Sequence, residues 1–501
     1  MDVTLTFLES QGCGSGEYAQ KRFKIGHRYS YTGCKYADAL HGFEAGSRRD
    51  RRPRADEGVQ FPVVPEDSKL RRCAFPVTSA LCHALRIKGH VDLTHAMSSQ
   101  PEMPTFPFAR HETYHPPPEN AKLRRECPIA KVKLFDNSEA WILMNRKDCC
   151  AALESEHLSA DRRHPAYPEI HEGGAKAKEQ RPTFVNLDNP EHDEQRNMLE
   201  SWFTHDAAEK LRPMISRVVE SNVDRLVKQH GEHPEKPVDF IEEFAALVPP
   251  QVIYHVLGIP EKDIPKLSRD SEVRTSTARD AAQTSSQNLQ SYMKDFVHQR
   301  VEEPKNDLVS HLVVGPYKEG KLTEDDIVNL AFLVLVAGNA ALINSIALGV
   351  VTLLQHPDQL DELKQTPSLA PKVTSELLRY HTASALNSRR AVKEDTEIGG
   401  QPMKKNDKLI CSVQSADRDE DYFKDPSRFD MHRPLNPADT LGFGWGPHRC
   451  QGEWLSRVEL ETVFGTLFTR LPNLRLAVAV HDLDYSPPTQ NVGITKMPVL
   501  W

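Results

Sequence analysis

Between Ile327 and Leu354 the chain carries no Asp, Glu, Lys or Arg, and this run constrains the fold more than any other stretch. A helix that is apolar on every side either crosses a bilayer or lies at the centre of a large core, walled in by other elements. Asn329, Asn339, Asn344 and Ser345 interrupt the run, and no cluster of Lys or Arg flanks its ends as a membrane interface favours. The sequence therefore predicts a long, buried central helix and no membrane anchor. Thr323 and Asp326 open it with the pattern of a capping box, Asp standing where Glu is more usual. Hydrophobic residues make up 39% of the 501 positions, enough to wrap such a helix in one large core.

Residues 1–102 read differently from the rest. They hold glycines, isolated cysteines and an arginine cluster from Arg48 to Arg54, without sustained periodicity. The expectation is an N-terminal extension, poorly ordered, a targeting segment or a gene-model artefact, followed by one catalytic domain over 103–501. A mitochondrial presequence would be arginine-rich, yet Asp2, Glu9, Glu17, Asp38 and Glu44 are unwelcome in one, so the compartment stays open between cytoplasm and mitochondrion. From about Ala121 the chain becomes regular. Lys131–Phe135 and Ala140–Leu143 read as a hairpin around Asp136-Asn137-Ser138, and beyond Asn189 the pattern is chiefly helical, with breaks at Pro249, Pro260 and Pro265. Strand-like pieces return at Arg389–Val392, Thr396–Ile398, Leu409–Val413 and Leu474–Val480. The fold class is α+β, mainly helical. A formal charge of −8 and a pI near 6.3 supply no basic field, so no nucleic-acid partner is expected. No dinucleotide G-x-G-x-x-G, phosphate loop or zinc-type cysteine spacing is present.

The chemistry concentrates at Gly442-Phe443-Gly444-Trp445-Gly446-Pro447-His448-Arg449-Cys450-Gln451-Gly452. A thiolate needs positive charge, N–H donors or a metal to stay ionised, and this loop offers glycines for close backbone approach, two basic residues and a helix predicted from about Gln451. Cys450 is the candidate metal ligand, to haem iron. Glu376 and Arg379, three apart on one helix face, can pair and accept a third partner from the segment Asp425 to Arg433. His192 and Arg196 lie one helical turn apart, suited to a carboxylate. Ala337-Gly338 on the long helix leaves room for a flat ring against the backbone.

In this order, over about Pro104 to Trp501, these elements resemble the cytochrome P-450 superfamily. Within it the passages Pro182-Thr183-Phe184-Val185, Leu335 to Ala340, Tyr380 to Leu386 and Val492-Gly493-Ile494 resemble the fungal nitric oxide reductases. The resemblance implies a cytochrome P-450 fold with small β-sheets and a long central helix across haem b. It also implies Cys450 as axial ligand, propionates bound by His192, Arg196, Arg390 and His448, and proton delivery through Ser384. NADH or NADPH is the implied direct electron donor, with Arg162, Arg163 and Arg274 at its pyrophosphate and Gly173 with Gly174 in the pocket-lining loop. Nitric oxide is the implied substrate, nitrous oxide and water the products, with no obligatory redox-partner protein; a monomer is expected.

The central helix points the same way. Dioxygen cleavage on iron needs proton delivery, which oxygenases of this superfamily usually supply with an acid and a Thr; here the positions are Asn339, Ala340 and Ala341. The chain also departs from the reductases, which typically carry a hydroxyl at Ala341 and acids at Asn186 and Asn491. Asn339, Ala341 and Asn491 therefore join Ser384 as the candidate positions that decide proton delivery. The competing readings are a monooxygenase served by an external reductase and a non-catalytic haem protein that binds nitric oxide.

Overall fold

A computed structural model describes residues 103–172, 174, 181–232, 234–264, 266–267 and 279–501 except 387, together with 6–7 and 21–22. The chain divides into two units, 1–69 and 70–501. In the first, Thr6–Phe7 and Lys21–Arg22 pair antiparallel. The remainder of the expected extension, Pro265, Gly173 and Arg274 lie outside the described residues.

In the second unit the hairpin forms with its first strand two residues earlier than read: β1 (Ile129–Lys133), which leaves Leu134 and Phe135 to the turn, pairs antiparallel with β2 (Glu139–Leu143), Ala130 opposite Ile142. Asn137 at the turn takes φ 65°, a left-handed conformation that Asn tolerates. They join β3 (Leu158–Ser159), β4 (Arg389–Val392) and β5 (Lys408–Cys411) in a five-stranded sheet of order β1-β2-β5-β4-β3, parallel only between β2 and β5. Leu409–Val413 is thus strand only to Cys411, because the chain turns into the short helix Val413–Ala416. Leu474–Val480 narrows further, to Arg475–Leu476, which pairs with Pro498–Leu500.

The helices carry the site. In chain order they are α1 (Arg146–Glu154), α2 (Glu191–Phe203), α3 (His205–Glu232), α4 (Val248–Leu257), α5 (Arg279–Glu302), α6 (Glu324–Ala337), α7 (Asn339–Gln355), α8 (Ala370–His381) and α9 (Glu453–Arg470). The predicted long apolar helix spans Glu324–Gln355, and a single interruption at Gly338, whose φ of −89° and ψ of −26° stay helical, divides it into the segments α6 and α7. The Thr323–Asp326 capping box opens α6, with both reciprocal bonds present. α6 packs on α4 and α5, and α7 on α8 and α9, so Ile327, Leu330, Leu335, Ile346 and Val350 are buried. The apolar residues these neighbours leave uncovered, among them Leu333, Val334 and Ala337, line an internal cavity. A run apolar on all sides is thereby explained: helices cover one side and the cavity occupies the other.

Three local features mark these helices. Ser345 turns its hydroxyl back onto the Ala341 carbonyl at 2.8 Å, one turn beyond the Gly338 interruption. α4 ends at Gly258 in the left-handed conformation (φ 83°), closed by its N–H on the His255 carbonyl. α8 ends at Thr382, also left-handed at φ 47°, a conformation unfavourable for a β-branched residue.

Candidate active site

The cavity measures about 500 Å³ and lies between the Gly338 junction on one side and the cysteine loop on the other. Along α6 and α7 the lining residues 333, 334, 337, 338, 341, 342 and 345 recur at the three- and four-residue spacing of a single face. Ala337 and Gly338 present backbone there, as the flat-ring reading requires.

The cysteine loop is held by its own backbone. Cys450 donates its N–H to the Phe443 carbonyl at 2.8 Å, Arg449 to Gly446 at 3.0 Å and Gly444 to Leu441 at 2.9 Å. Gly446 is required twice over: its φ is 68°, and a Cβ would meet the Leu153 carbonyl at 2.8 Å. Cys450 is exposed by surface area because it lines the cavity, yet protein surrounds its sulfur on the longer scale that governs its charge. That burial pushes its thiol up, while the Gly452 N–H, Arg196 and Arg449 act downward against Glu453. Arg449 is less free than its place beside the sulfur suggested, because Glu453 takes it at 2.6 Å and also takes Arg457 at 3.0 Å. The protein alone favours the thiol, and a metal at the sulfur would reverse that balance.

Behind the loop, Arg379 forms a bidentate pair with Glu376 at 2.7 Å, both side chains fully buried. Arg433 joins Glu376 at 3.2 Å and the Pro426 carbonyl accepts from Arg379 at 2.9 Å, so the third partner comes from the segment expected.

Four cationic or donor groups converge, with Asp193 the carboxylate that meets them at His192. His192 and His448 lie with ring centroids 4.2 Å apart, and Arg196, Arg390 and His448 line the cavity. Burial, then Arg390, His192 and Arg196, push His448 down to about 2, and burial lowers both arginines. His192 gives Nδ1 to Asp193 at 2.7 Å, yet its buried Nε2 has no partner among the described residues. Such a cluster is relieved by carboxylates. With a cavity-facing sulfur opposite bare helix backbone, this donor set fits haem: Cys450 to iron, and His192, Arg196, Arg390 and His448 to propionates.

On the far wall Asn339 is buried with no partner for its Nδ2, and Ala341, Ser384 and Asn186 line the cavity. Asn491 is not among the lining residues; its Oδ1 accepts the Leu386 N–H at 3.1 Å and so shapes the Ser384 turn from behind. Arg162 lines the cavity but is committed to Glu169 at 2.6 and 2.8 Å, a pair that also takes Arg389 at 3.2 Å. Arg163 is absent from the lining and pairs with Asp161 at 2.6 Å in an exposed position. A Cβ on Gly174 would meet Glu169 Oε2 at 2.1 Å, so this glycine admits the backbone to the Arg162–Glu169 pair.

Two cavity residues escaped the sequence reading. His381, whose Nε2 lies 2.6 Å from Thr352 Oγ1, is held neutral by burial and nearby arginines. Glu459 on α9 is buried with one oxygen unpartnered, and burial alone pushes its carboxyl up to about 8. Its place, two helical turns beyond the cysteine loop on an otherwise apolar stripe, was the signal available.

Residues 253–476 match a family model described as cytochrome P450. The chain is 44% identical over 402 residues to cytochrome P450 55A3 of Fusarium lichenicola, covering 80% of this chain and 98% of the relative. It is 32% identical over 403 residues to vitamin D3 dihydroxylase of Streptomyces griseolus, covering 80% and 97%. The crystal structure of cytochrome P450 MoxA from Nonomuraea recticatena superposes with a TM-score of 0.75 at 33% identity, covering 79% of this chain and 98% of that one.

Proposed function

Because the chain belongs to the cytochrome P450 family, whose members hold haem iron, we propose that it is a nitric oxide reductase that takes electrons directly from NADH or NADPH and converts two NO to nitrous oxide and water. The observation that carries the reading is the cavity face of α7, where Asn339 and Ala341 offer neither acid nor hydroxyl. The nearest hydroxyl on that helix, Ser345, is spent on the Ala341 carbonyl. Proton delivery to dioxygen is poorly served here, whereas a hydride donor brings both electrons and one proton equivalent with it. The 44% identity to cytochrome P450 55A3 supports the same reading, through the motifs shared with the fungal reductases.

Haem bound at Cys450 supplies the iron at which NO is held. The chain's own residues do the rest. Cys450 would hold the iron; His192, Arg196, Arg390 and His448 would hold the haem carboxylates; Ser384 presents a hydroxyl to the cavity for proton transfer. Arg162, turned from Glu169, meets a pyrophosphate at the wall, and small residues at Gly338 and Ala341 leave room for the nicotinamide ring. No electron-carrier protein is needed.

Anaerobic mixing of the purified ferric protein with NO and NADH or NADPH tests this. Nicotinamide oxidation with nitrous oxide release is the expected result. An NO complex indifferent to both nucleotides overturns it in favour of an NO-binding protein. Substrate hydroxylation with an added reductase favours the monooxygenase reading, which hydroxylase-named relatives such as the vitamin D3 enzyme support.

A further inference from the structure

We infer that Asp417 is a positioning residue that ties the turn carrying Ser384 to the loop carrying Cys450, so that one buried carboxylate sets both walls of the cavity. Asp417 is fully buried, and each of its oxygens is used. Oδ1 accepts the Leu441 N–H at 2.7 Å, at the root of the cysteine loop. Oδ2 accepts the hydroxyls of Thr440 at 3.1 Å and Thr382 at 3.0 Å. Arg146 lies 3.8 Å from Oδ1 and supplies the compensating charge, and the Asp417 carbonyl accepts from buried Arg379 at 3.0 Å.

Each arm ends on a residue whose placement matters. Thr382 is the left-handed residue that closes α8, two positions before Ser384. A β-branched residue stays in that region only where its surroundings over-determine it, and a hydroxyl-to-carboxylate bond is of the strong, charge-assisted kind. On the other arm, Leu441 accepts the Gly444 N–H at 2.9 Å and Thr440 Oγ1 accepts the Gly442 N–H at 3.0 Å, so the carboxylate fixes the first turn of the loop that delivers the sulfur. Thr382 and Leu441 both line the cavity. Burial pushes the Asp417 carboxyl up to about 6, with the Leu441 N–H, Arg146 and the Thr382 hydroxyl acting against it. The ionised form, an acceptor only, suits the three bonds the group accepts.

The inference rests on the haem-thiolate reading for its Cys450 arm and on the reductase reading only for what Ser384 does. The test uses the full-length, haem-loaded protein. Two readouts do not depend on nucleotide: the rate at which the thiolate-type carbon monoxide spectrum is lost, and the N–O stretch of the NO-bound ferric protein. Thr440→Val is expected to speed loss of the spectrum about tenfold with the N–O stretch unchanged. Thr382→Ala is expected to shift the stretch and slow NADH-dependent NO consumption about tenfold with the spectrum stable. Thr382→Ser restores both values. Asp417→Ala combines the two defects, and Asp417→Asn, whose amide can face the two hydroxyls while its oxygen keeps the Leu441 N–H, stays within about twofold of wild type. Wild-type readouts in Thr440→Val and Thr382→Ala overturn the link, even if Asp417→Ala fails to fold. Loss of both readouts together in either threonine variant overturns it too, since each should report one arm. If the wild-type protein consumes no NO with nucleotide, the reductase reading falls while the spectrum and the stretch still decide this one.

Discussion

The two walls of the cavity are built by opposite means. The cysteine wall is dense with fixed polar groups: Glu453 clamps Arg449 and Arg457, Glu376 clamps Arg379 and Arg433, and the loop closes on its own carbonyls. The helix wall is sparse. It consists of a junction at Gly338, Ala337 and Ala341, an Asn339 amide without a partner, and the Ser384 turn held from behind by Asn491. An over-determined wall suits a single chemistry, and in the proposed reading that is a thiolate at iron; a wall of small, loosely bonded residues leaves open what approaches from the other side.

The strongest way to break this contrast is at the sulfur. Cys450→Ala should abolish the thiolate-type carbon monoxide spectrum entirely, and its persistence would move the ligand elsewhere. Next is the buried pair. Removing one partner leaves a desolvated charge, so Glu376→Ala should cost about 3–5 kcal/mol in urea unfolding. A cost below about 1 kcal/mol, typical of a surface pair, would mean the network behind the cysteine loop is not rigid.

Glu459 is the exception on the dense wall, a buried carboxyl without the partners its neighbours have. Its proton is held more tightly in the native state than in the unfolded chain, where the ordinary value of 4.5 applies. That contribution is complete below pH 4.5 and is lost as pH rises through about 8. Stability followed from pH 5 to pH 9 should therefore fall in the wild type and stay flatter in Glu459→Gln, the gap widening by on the order of 3 kcal/mol. Parallel curves would show that water or another group already partners this carboxyl.

On the sparse wall the effects are smaller and kinetic. Ser384→Ala should slow NO turnover by about tenfold, a modest general acid–base contribution, and leave NO affinity unchanged. Equal turnover would remove Ser384 from the proton route. Ala341→Ser, which returns a hydroxyl to the cavity face of α7, should change turnover by only about twofold to threefold, within the reach of one added hydrogen bond. A larger gain would show that this position, rather than Ser384, limits proton delivery.

The sequence alone determined the cysteine wall. The loop glycines, the Glu376–Arg379 spacing, the His192–Arg196 turn and the capping box at Thr323 are local patterns, set by residues within a few positions of one another, and each formed as read. Tertiary structure decided what depends on partners distant in sequence. The apolar run between Ile327 and Leu354 turns its Gly338 side to a cavity that no local pattern announces. Arg389 meets Glu169 across 220 positions, and Asn491 stands behind the lining rather than in it, since ion pairing and burial depend on where the chain returns. Asp417 lies in the charged stretch Asp417-Arg418-Asp419-Glu420, which carries no motif of its own. Only folding brings it under Thr382, Thr440 and Leu441, because a buried carboxylate is defined by the donors that gather around it.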